Sequence, residues 1–470
     1  MKRLSIIGLF ACFTHTSWGS THALVQDKEA SKSGVFPVVQ VEAFNKFALG
    51  GDKTSPTESY GYMLGALGLE LRAVGESGVI QVGFGGAGAG LAYDSTRKNG
   101  DDLGYNYIGY NQGYDGKGTA TPTNTRNYIV HNAYLAIAQN VGSSFLYHLS
   151  LGRFFYDDGG YIASFVEGGR IRYESNNSYD IAPSNFYTEF AAISSTALLG
   201  DGFFWDYNRV YTPRGLISAK LGFSHSFEKS LLDINVFYYY GISEYSAPGL
   251  ALEYQTNPYA SDSSGFNAST KLNAVFPIYD QLYMQVPLLL SGFLRNENGR
   301  EEGFTSTILL KQDFDFYKER SSYNLALAAQ QNVGFSHARL GLFGSPLGVN
   351  IWDNSVYASG PSLNALVYKD AFSALFFTKA NFAKTMLGYK SQYGIGLDGR
   401  YTTAPAADEY SLKLTMDLSF SELLTLSLIA NYYTSIYRHD SIFASDPSRA
   451  IVPNTAINRS YVMTKLSFDF

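Results

Sequence analysis

The sequence predicts an all-β protein, a closed antiparallel transmembrane β-barrel of about 18 strands with long loops at one end and short turns at the other. Three observations predict it. Hairpins alternate apolar and polar residues with a period of two. Short and long connections alternate along the chain. The composition is rich in Tyr, Phe and Gly, poor in charge, and contains no apolar run long enough for a transmembrane helix.

The alternation is clearest in three hairpins. Leu412, Leu414, Met416, Leu418 and Phe420 face away from Ser411, Lys413, Thr415, Asp417 and Ser419, and after a turn at 421–423 Leu424, Leu426 and Leu428 continue the pattern. Ile217, Ala219, Leu221 and Phe223 likewise oppose Ser218, Lys220, Gly222 and Ser224, and a turn at 228–230 leads to Leu232, Ile234, Val236 and Tyr238. The segments 266–276 and 282–293 repeat the design. A period of two places alternate side chains on opposite faces of a strand. Lys413 and Asp417 are untenable against lipid but suit a watery lumen.

The last residues form the same kind of strand. Val462, Thr464, Leu466, Phe468 and Phe470 share one face, while Tyr461, Lys465, Ser467 and Asp469 share the other. A final strand ending on Phe resembles the C-terminal signal by which bacterial outer-membrane barrels are recognised for insertion, so Phe468 and Phe470 are read as assembly residues.

Connection lengths supply the second observation. Short turns fall near 73–77, 140–143, 228–231, 277–281, 317–321, 383–385 and 421–423. Longer loops rich in Gly, Asn, Ser, Asp and Pro fall at 92–125, 242–265, 333–360 and 435–458. Outer-membrane barrels pair short periplasmic turns with longer outside loops. The expected strands are 37–48, 60–72, 78–91, 126–139, 144–153, 161–173, 186–200, 213–227, 231–241, 266–276, 282–293, 304–314, 322–332, 371–382, 386–402, 410–420, 424–434 and 459–470. A count of about 16 follows if one pair within 154–212 is loop.

Composition supplies the third. Charged residues are 16% against the roughly 25% usual in soluble domains, and aromatics are also 16% of the 470 residues. The formal net charge of −6 gives no support to nucleic-acid binding. Met1, Lys2 and Arg3 form a basic start, Leu4 to Phe13 an apolar core, and Thr21, His22 and Ala23 a cleavage site, so residues 1–23 read as a signal peptide and 24–470 as the barrel. The one cysteine, Cys12, lies in that signal, which leaves the exported part without thiols. Leu9 to Cys12 faintly resembles a lipoprotein box, but Phe10 and the short apolar core argue against it.

Parity then assigns charges to the lumen. The bases are Arg72, Arg170, Arg172, Arg214, Lys220, Lys271, Lys390, Arg400, Lys413 and Lys465. The acids are Glu42, Glu70, Glu189, Asp233, Asp398, Asp417 and Asp469. Taken singly, each is a solvated wall residue or half of a cross-strand ion pair. As a set, opposite signs across a lumen create a transverse field that sets ion preference. A barrel of this many strands is wide enough for an aqueous channel. Arg153 shares the parity of Phe145, Tyr147, Leu149 and Leu151, which would aim it at lipid. Either Gly152 breaks the alternation or Arg153 sits at a watery strand end, and Gly152 is the favoured explanation.

The Leu-Gly-Arg at 151–153, the Tyr-Ile-Ala-Ser at 161–164 and the Gly-Gly-Arg at 168–170, together with the signal, the terminal Phe and the strand count, resemble the OprD-type porins, and more closely the Helicobacter outer-membrane (Hof) family. The resemblance covers nearly the whole mature length. It implies an outer-membrane channel for passive diffusion of small hydrophilic solutes, among them carboxylate-bearing ones, through a charged constriction, with Arg153, Arg170 and Arg172 related to a basic ladder. It implies no cofactor and no enzymatic activity. Its partners would be outer-membrane lipid, the solutes and the barrel-assembly machinery, and a homo-oligomer is compatible with it. The competing reading is a surface adhesin acting through loops 92–125, 242–265, 333–360 and 435–458.

Signals of catalysis or metal binding are thin. Gly83 to Gly90 has the spacing of a phosphate loop but no helix after it, which favours a strand. Asp101–Asp102 and Asp157–Asp158 lack further ligands. His439–Asp440 matches the His–Asp pairs of outer-membrane proteases, which are much smaller barrels.

Overall fold

A computed structural model describes residues 32–49, 59–95, 97, 103–111, 124–141, 145–175, 184–209, 212–262, 264–279, 305–334, 340, 344–349, 352, 366, 370–386, 389–405, 407–420, 423–438 and 454–470. The wall strands in chain order are β1 (Gly34–Ala48), β2 (Tyr60–Gly75), β3 (Gly78–Asp94), β4 (Tyr128–Val141), β5 (Phe145–Asp157), β6 (Ala163–Ser175), β7 (Ser184–Gly200), β8 (Leu216–Ser226) and β9 (Leu231–Gly241). They continue as β10 (Tyr245–Gln255), β11 (Phe266–Val275), β12 (Ser306–Lys318), β13 (Ser321–Val333), β14 (Phe372–Met386), β15 (Tyr389–Thr403), β16 (Ala407–Phe420), β17 (Leu424–Tyr437) and β18 (Tyr461–Asp469). Each pairs antiparallel with the next, and β18 pairs with β1 from Gln40↔Asp469 to Ala48↔Tyr461, closing an 18-strand barrel. At the seam Phe470 N–H donates to Val39 O and Val39 N–H to Phe470 O, both at 2.8 Å. Closure leaves no strand edge in lipid, where each unpaired backbone group costs several kcal/mol, roughly.

The alternation has the expected outcome. Leu67, Leu69 and Leu71 of β2, Leu310 of β12, Leu325 and Leu327 of β13, and Leu412 of β16 are exposed on the outer face. Gln81, Arg170, Glu189, Asn273, Asp313, Arg400 and Lys413 are buried on the inner one. No helix among the described residues is long and apolar enough to cross a membrane; the strands do that work. Gly83 to Gly90 lies within β3, so the glycine run is strand and not a phosphate loop.

Three expectations are corrected. Residues 242–265 are not one long loop, because Tyr245–Gln255 is wall strand β10, with Leu250 and Tyr254 outward. The Ala-Pro-Gly at 247–249 breaks the alternation, yet Pro248 O still accepts Phe276 N–H at 2.9 Å and pairing runs on to Tyr245↔Tyr279. The turn expected at 277–281 follows a strand that, by the added β10, now ends at the loop side, and 256–265 is instead a turn-side connection. The strand expected at 282–293 lies outside the described residues, and the wall closes without it, since β11 pairs directly with β12 from Phe266↔Phe316 to Val275↔Thr307. The total of 18 is right with one member exchanged.

The wall strands run from 9 to 17 residues, against about 9–11 for a membrane crossing. The excess lets the loop-side ends of β5, β6 and β7, of 13, 13 and 17 residues, fold into the lumen. There the buried cluster of Phe44, Tyr60, Tyr62, Tyr107, Phe203, Trp205, Trp352 and Tyr461 forms the one large apolar core among the described residues, inside the barrel.

Candidate functional site: the lumen and the segments that cross it

Glycine decides where the wall bends. Gly152 has φ +110°, a backbone conformation that L side chains rarely adopt, and a Cβ there would lie 2.2 Å from Ala133 O. Its cross-strand partner Gly168 is equally hemmed in, with a Cβ falling 2.0 Å from Ala192 O. At the same level β7 carries a bulge, since Gly168 pairs with Ile193 but Glu167 with Ser195. β4 and β5 part company after the Ala133↔Arg153 pair. From here the loop-side ends of β5, β6 and β7 leave the cylinder and turn inward. Gly152 bends the strand but does not break its alternation. Phe154 and Tyr156 stay buried in phase with Leu146 and Ser150, and Arg153 keeps the parity of Leu151. The explanation favoured from the sequence gives way to the other one, with Arg153 near the loop-side end of the membrane-facing wall.

Two turns carry these strands across the lumen. The β5–β6 turn is built by Asp158, whose Oδ1 accepts the N–H groups of Gly160 (2.8 Å) and Ile162 (3.1 Å) and whose Oδ2 accepts the Tyr239 hydroxyl. Tyr161 OH then reaches Asn273 on β11 at 3.0 Å, and Gly344 N–H donates to Tyr161 O at 3.3 Å. The Asp157–Asp158 carboxylates are thus engaged in turn geometry; Asp157 Oδ1 takes Gly159 N–H at 2.7 Å.

The second turn, at 200–202, joins β7 to the short inner strand Phe203–Asn208 and crosses to the opposite wall. Asp201 bonds Lys465 of β18 at 2.5 Å, Tyr60 OH donates to Gly202 O at 2.6 Å, and Trp352 Nε1 donates to Asp201 O at 2.8 Å. Trp352 stacks on Phe44 (6.2 Å, 5°), lies 4.9 Å from Phe203, and takes Lys46 Nζ 4.8 Å above its ring. Burial pushes the phenols of Tyr161 and Tyr207, both in these inner segments, above the ordinary range, so they stay protonated donors.

Between the two turns the lumen wall carries paired charges. Arg170 bonds Glu189 through Nε (3.0 Å) and an Nη atom (2.5 Å), while Tyr156 OH donates to the other Glu189 oxygen at 2.7 Å. Arg172 lies 3.5 Å from Glu189, bonds Glu174 at 2.9 Å and sits 4.5 Å over the Tyr187 ring. Lys220, paired with Glu189 in register, donates to Asp158 O. Asp233 meets Asn235 at 3.3 Å and Tyr187 OH at 3.4 Å. Around the remaining wall Lys271 pairs with Glu253 (3.2 Å), Lys413 with Asp398 (3.2 Å), Lys379 with Asp417 (3.9 Å) and Arg400 with Glu409 (3.3 Å). Arg72 lies 3.7 Å from Glu70, which also accepts Tyr134 OH at 2.9 Å.

Some expected residues lie apart from this set. Arg214 precedes β8, outside any wall strand. Arg153 stands behind the bent strands, 4.6 Å over the Tyr207 ring and 3.5 Å from Glu167. Lys390 has its backbone in β15 and its side chain outside the described residues. Asp101–Asp102 and His439–Asp440 also lie outside them. Sequence reasoning missed Lys311 and Asp313, 3.1 Å apart, although parity with Leu310 would have found them. It missed Glu253 because its strand was read as loop, and Asp201 because a turn residue carries no periodic signal.

Residues 20–470 match the family described as "Putative outer membrane protein". No curated protein matches the sequence. Among solved structures, OccAB4 of Acinetobacter baumannii matches with TM-score 0.54 and 10% identity, over 94% of this chain and 100% of that one. OccAB1 of the same organism matches at 0.56 and 9%, over 94% and 99%. OccK9 (OpdG) of Pseudomonas aeruginosa matches at 0.53 and 10%, over 93% and 98%. At these identities the likeness is one of fold.

Proposed function

The chain belongs to this family of outer-membrane proteins, and on that premise we propose that it is a porin, a passive channel for small hydrophilic solutes. The fold is similar to that of OprD-type porins, and family and fold both agree with the OprD-type and Helicobacter outer-membrane resemblance read from the sequence. The observation that carries the reading is the interior: an 18-strand cylinder crossed by two turns anchored to different walls, with cross-strand pairs of acidic and basic residues on the inner wall beside an aromatic cluster. A barrel this wide holds water unless plugged, and paired charges facing water orient polar solutes without binding them tightly. Diffusion down a gradient needs no cofactor.

The charge pattern bears on the solute class. Arg170, Arg172, Lys271, Arg400 and Lys413 each stand beside a carboxylate. This mosaic of both signs supports small polar solutes of mixed charge, with carboxylates as one member class, over a strictly anion-selective path. Residues 1–23 are the proposed export signal, and the barrel-assembly machinery the proposed route of insertion.

Planar-bilayer recording tests the reading. Folded protein should give discrete open-channel steps whose reversal potential shifts in a salt gradient. A folded barrel that stays silent, while its long loops bind surface ligands, would favour the adhesin reading instead.

A further inference from the structure

Where β5 turns inward after Arg153, the first residues of β4 continue toward the loop end with no β5 residue paired beside them, and a recess of about 330 Å³ opens in the wall. The inward bend that narrows the lumen is what creates it. Its floor is the cross-strand row Arg153, Glu167 and Ser195. Arg153 and Glu167 share strand parity with the outward Leu151 and Ile171. Its sides are Tyr128 and Val130 of β4, and Arg126, Tyr207 and Arg209.

The recess has a fixed shape. Arg153 donates to Val130 O at 3.2 Å and Tyr207 OH to His131 O at 2.7 Å, so side chains cap the β4 carbonyls that the departing strand leaves behind. Three arginines meet two acids there. Arg126 bonds Asp206 at 2.5 Å and Arg153 is 3.5 Å from Glu167, whereas Arg209 has no ion-pair partner among the described residues. The excess charge is positive, and Arg126 and Glu167 are over 40% exposed.

Its height in the membrane is also legible. Arg153 is the ninth residue of β5. Nine residues at about 3.3 Å each, tilted about 40°, rise roughly 23 Å, close to the upper edge of the roughly 25 Å apolar band. On the turn side the outer face presents Leu135, Leu151 and Ile171, all exposed. Tyr128, 72% exposed, stands at the rim as an interfacial aromatic does.

We propose that this recess is a docking site for the phosphorylated head group of an outer-leaflet lipid. Arg126 and Arg209 hold the phosphate, and the acyl chains lie down the Leu135, Leu151 and Ile171 face. A cationic cup directly above an apolar wall complements an anionic amphiphile at both ends, and guanidinium groups match phosphate oxygens in geometry as well as charge. The proposal is independent of which solute the lumen carries.

Native mass spectrometry of the folded protein in detergent tests it, with bisphosphorylated lipid A, its dephosphorylated form and inorganic phosphate as probes. The bisphosphorylated lipid should bind the parent protein about tenfold more tightly than the dephosphorylated form. The Arg126→Ala/Arg209→Ala variant should lose that preference; neither side chain caps a β4 carbonyl. Arg209→Ala alone, at an exposed residue outside the wall strands, should weaken it in the same direction, and Arg209→Lys should largely retain it. Equal binding of both lipid forms to the parent, or an unchanged preference in a variant that keeps the barrel's heat-modifiable gel mobility, overturns the proposal. Competition by inorganic phosphate as effective as that by the lipid would mark a site for free phosphate and overturn the lipid assignment.

Discussion

Gly152 stands directly opposite Gly168, at the level where β5 and β6 leave the cylinder. Neither position tolerates a Cβ without moving backbone, since the obstructing atoms are the carbonyl oxygens of Ala133 and Ala192. Two strands pressed against their outer neighbours at the same height turn inward there, and the β5–β6 turn that reaches Asn273 follows from that bend.

Gly152→Ala should therefore destabilise the barrel by about 1–3 kcal/mol, because it adds a side chain at a strained φ and drives Cβ into Ala133 O. The thermal transition of the heat-modifiable band in detergent measures it. A variant as stable as the parent would mean that the bend does not need glycine.

Arg170 and Arg172 lie two residues apart yet should respond differently to charge reversal. Arg170 is 4% exposed and held by Glu189. Arg170→Glu buries two carboxylates against each other and should lower the yield of folded barrel, since breaking a buried pair costs about 3–5 kcal/mol. The Arg172 side chain is 16% exposed. Arg172→Glu should fold and shift the zero-current potential in a KCl gradient toward cation selectivity. An unmoved potential would separate Arg172 from the ion path.

The Asp201–Lys465 bond ties the 200–202 turn to β18. Lys465→Met should loosen that turn and raise open-channel current noise while leaving the wall closed. Recordings as quiet as the parent's would assign the anchoring to Trp352 Nε1 and Tyr60 OH, which also hold the turn.

Trp352 fills the space between Phe44, Phe203 and the Lys46 ammonium. Trp352→Ala should cost about 3–5 kcal/mol by leaving a cavity, and it should widen the lumen, read as a rise in single-channel conductance.

Phe470 is 63% exposed on the outer face, and its seam hydrogen bonds are made by backbone. Phe470→Ala should keep the finished barrel within about 0.5 kcal/mol of the parent while slowing insertion, read as a lower folded fraction at early times in cells. A normal insertion rate would remove Phe470 as an assembly residue.

The sequence by itself determined the wall. Leu412 against Lys413, or Ile171 between Arg170 and Arg172, encodes which face meets lipid, because a strand's period of two is local and lipid tolerates few errors in it. Lumen parity for Arg170, Glu189, Asp398, Lys413 and Asp417 was legible for the same reason. Arg153 was legible as a charge on the lipid-facing parity, though the inward bend at Gly152 that leaves it beside a polar recess was not. Only the tertiary structure decided that Tyr245–Gln255 enters the wall, because Pro248 and Gly249 erase its alternation and its place is fixed by ladders to β9 and β11. Only the tertiary structure joined Asp201 to Lys465 and Tyr161 to Asn273, residues 264 and 112 positions apart. Those contacts depend on how three strands turn once their neighbours are in place, and no local pattern records that.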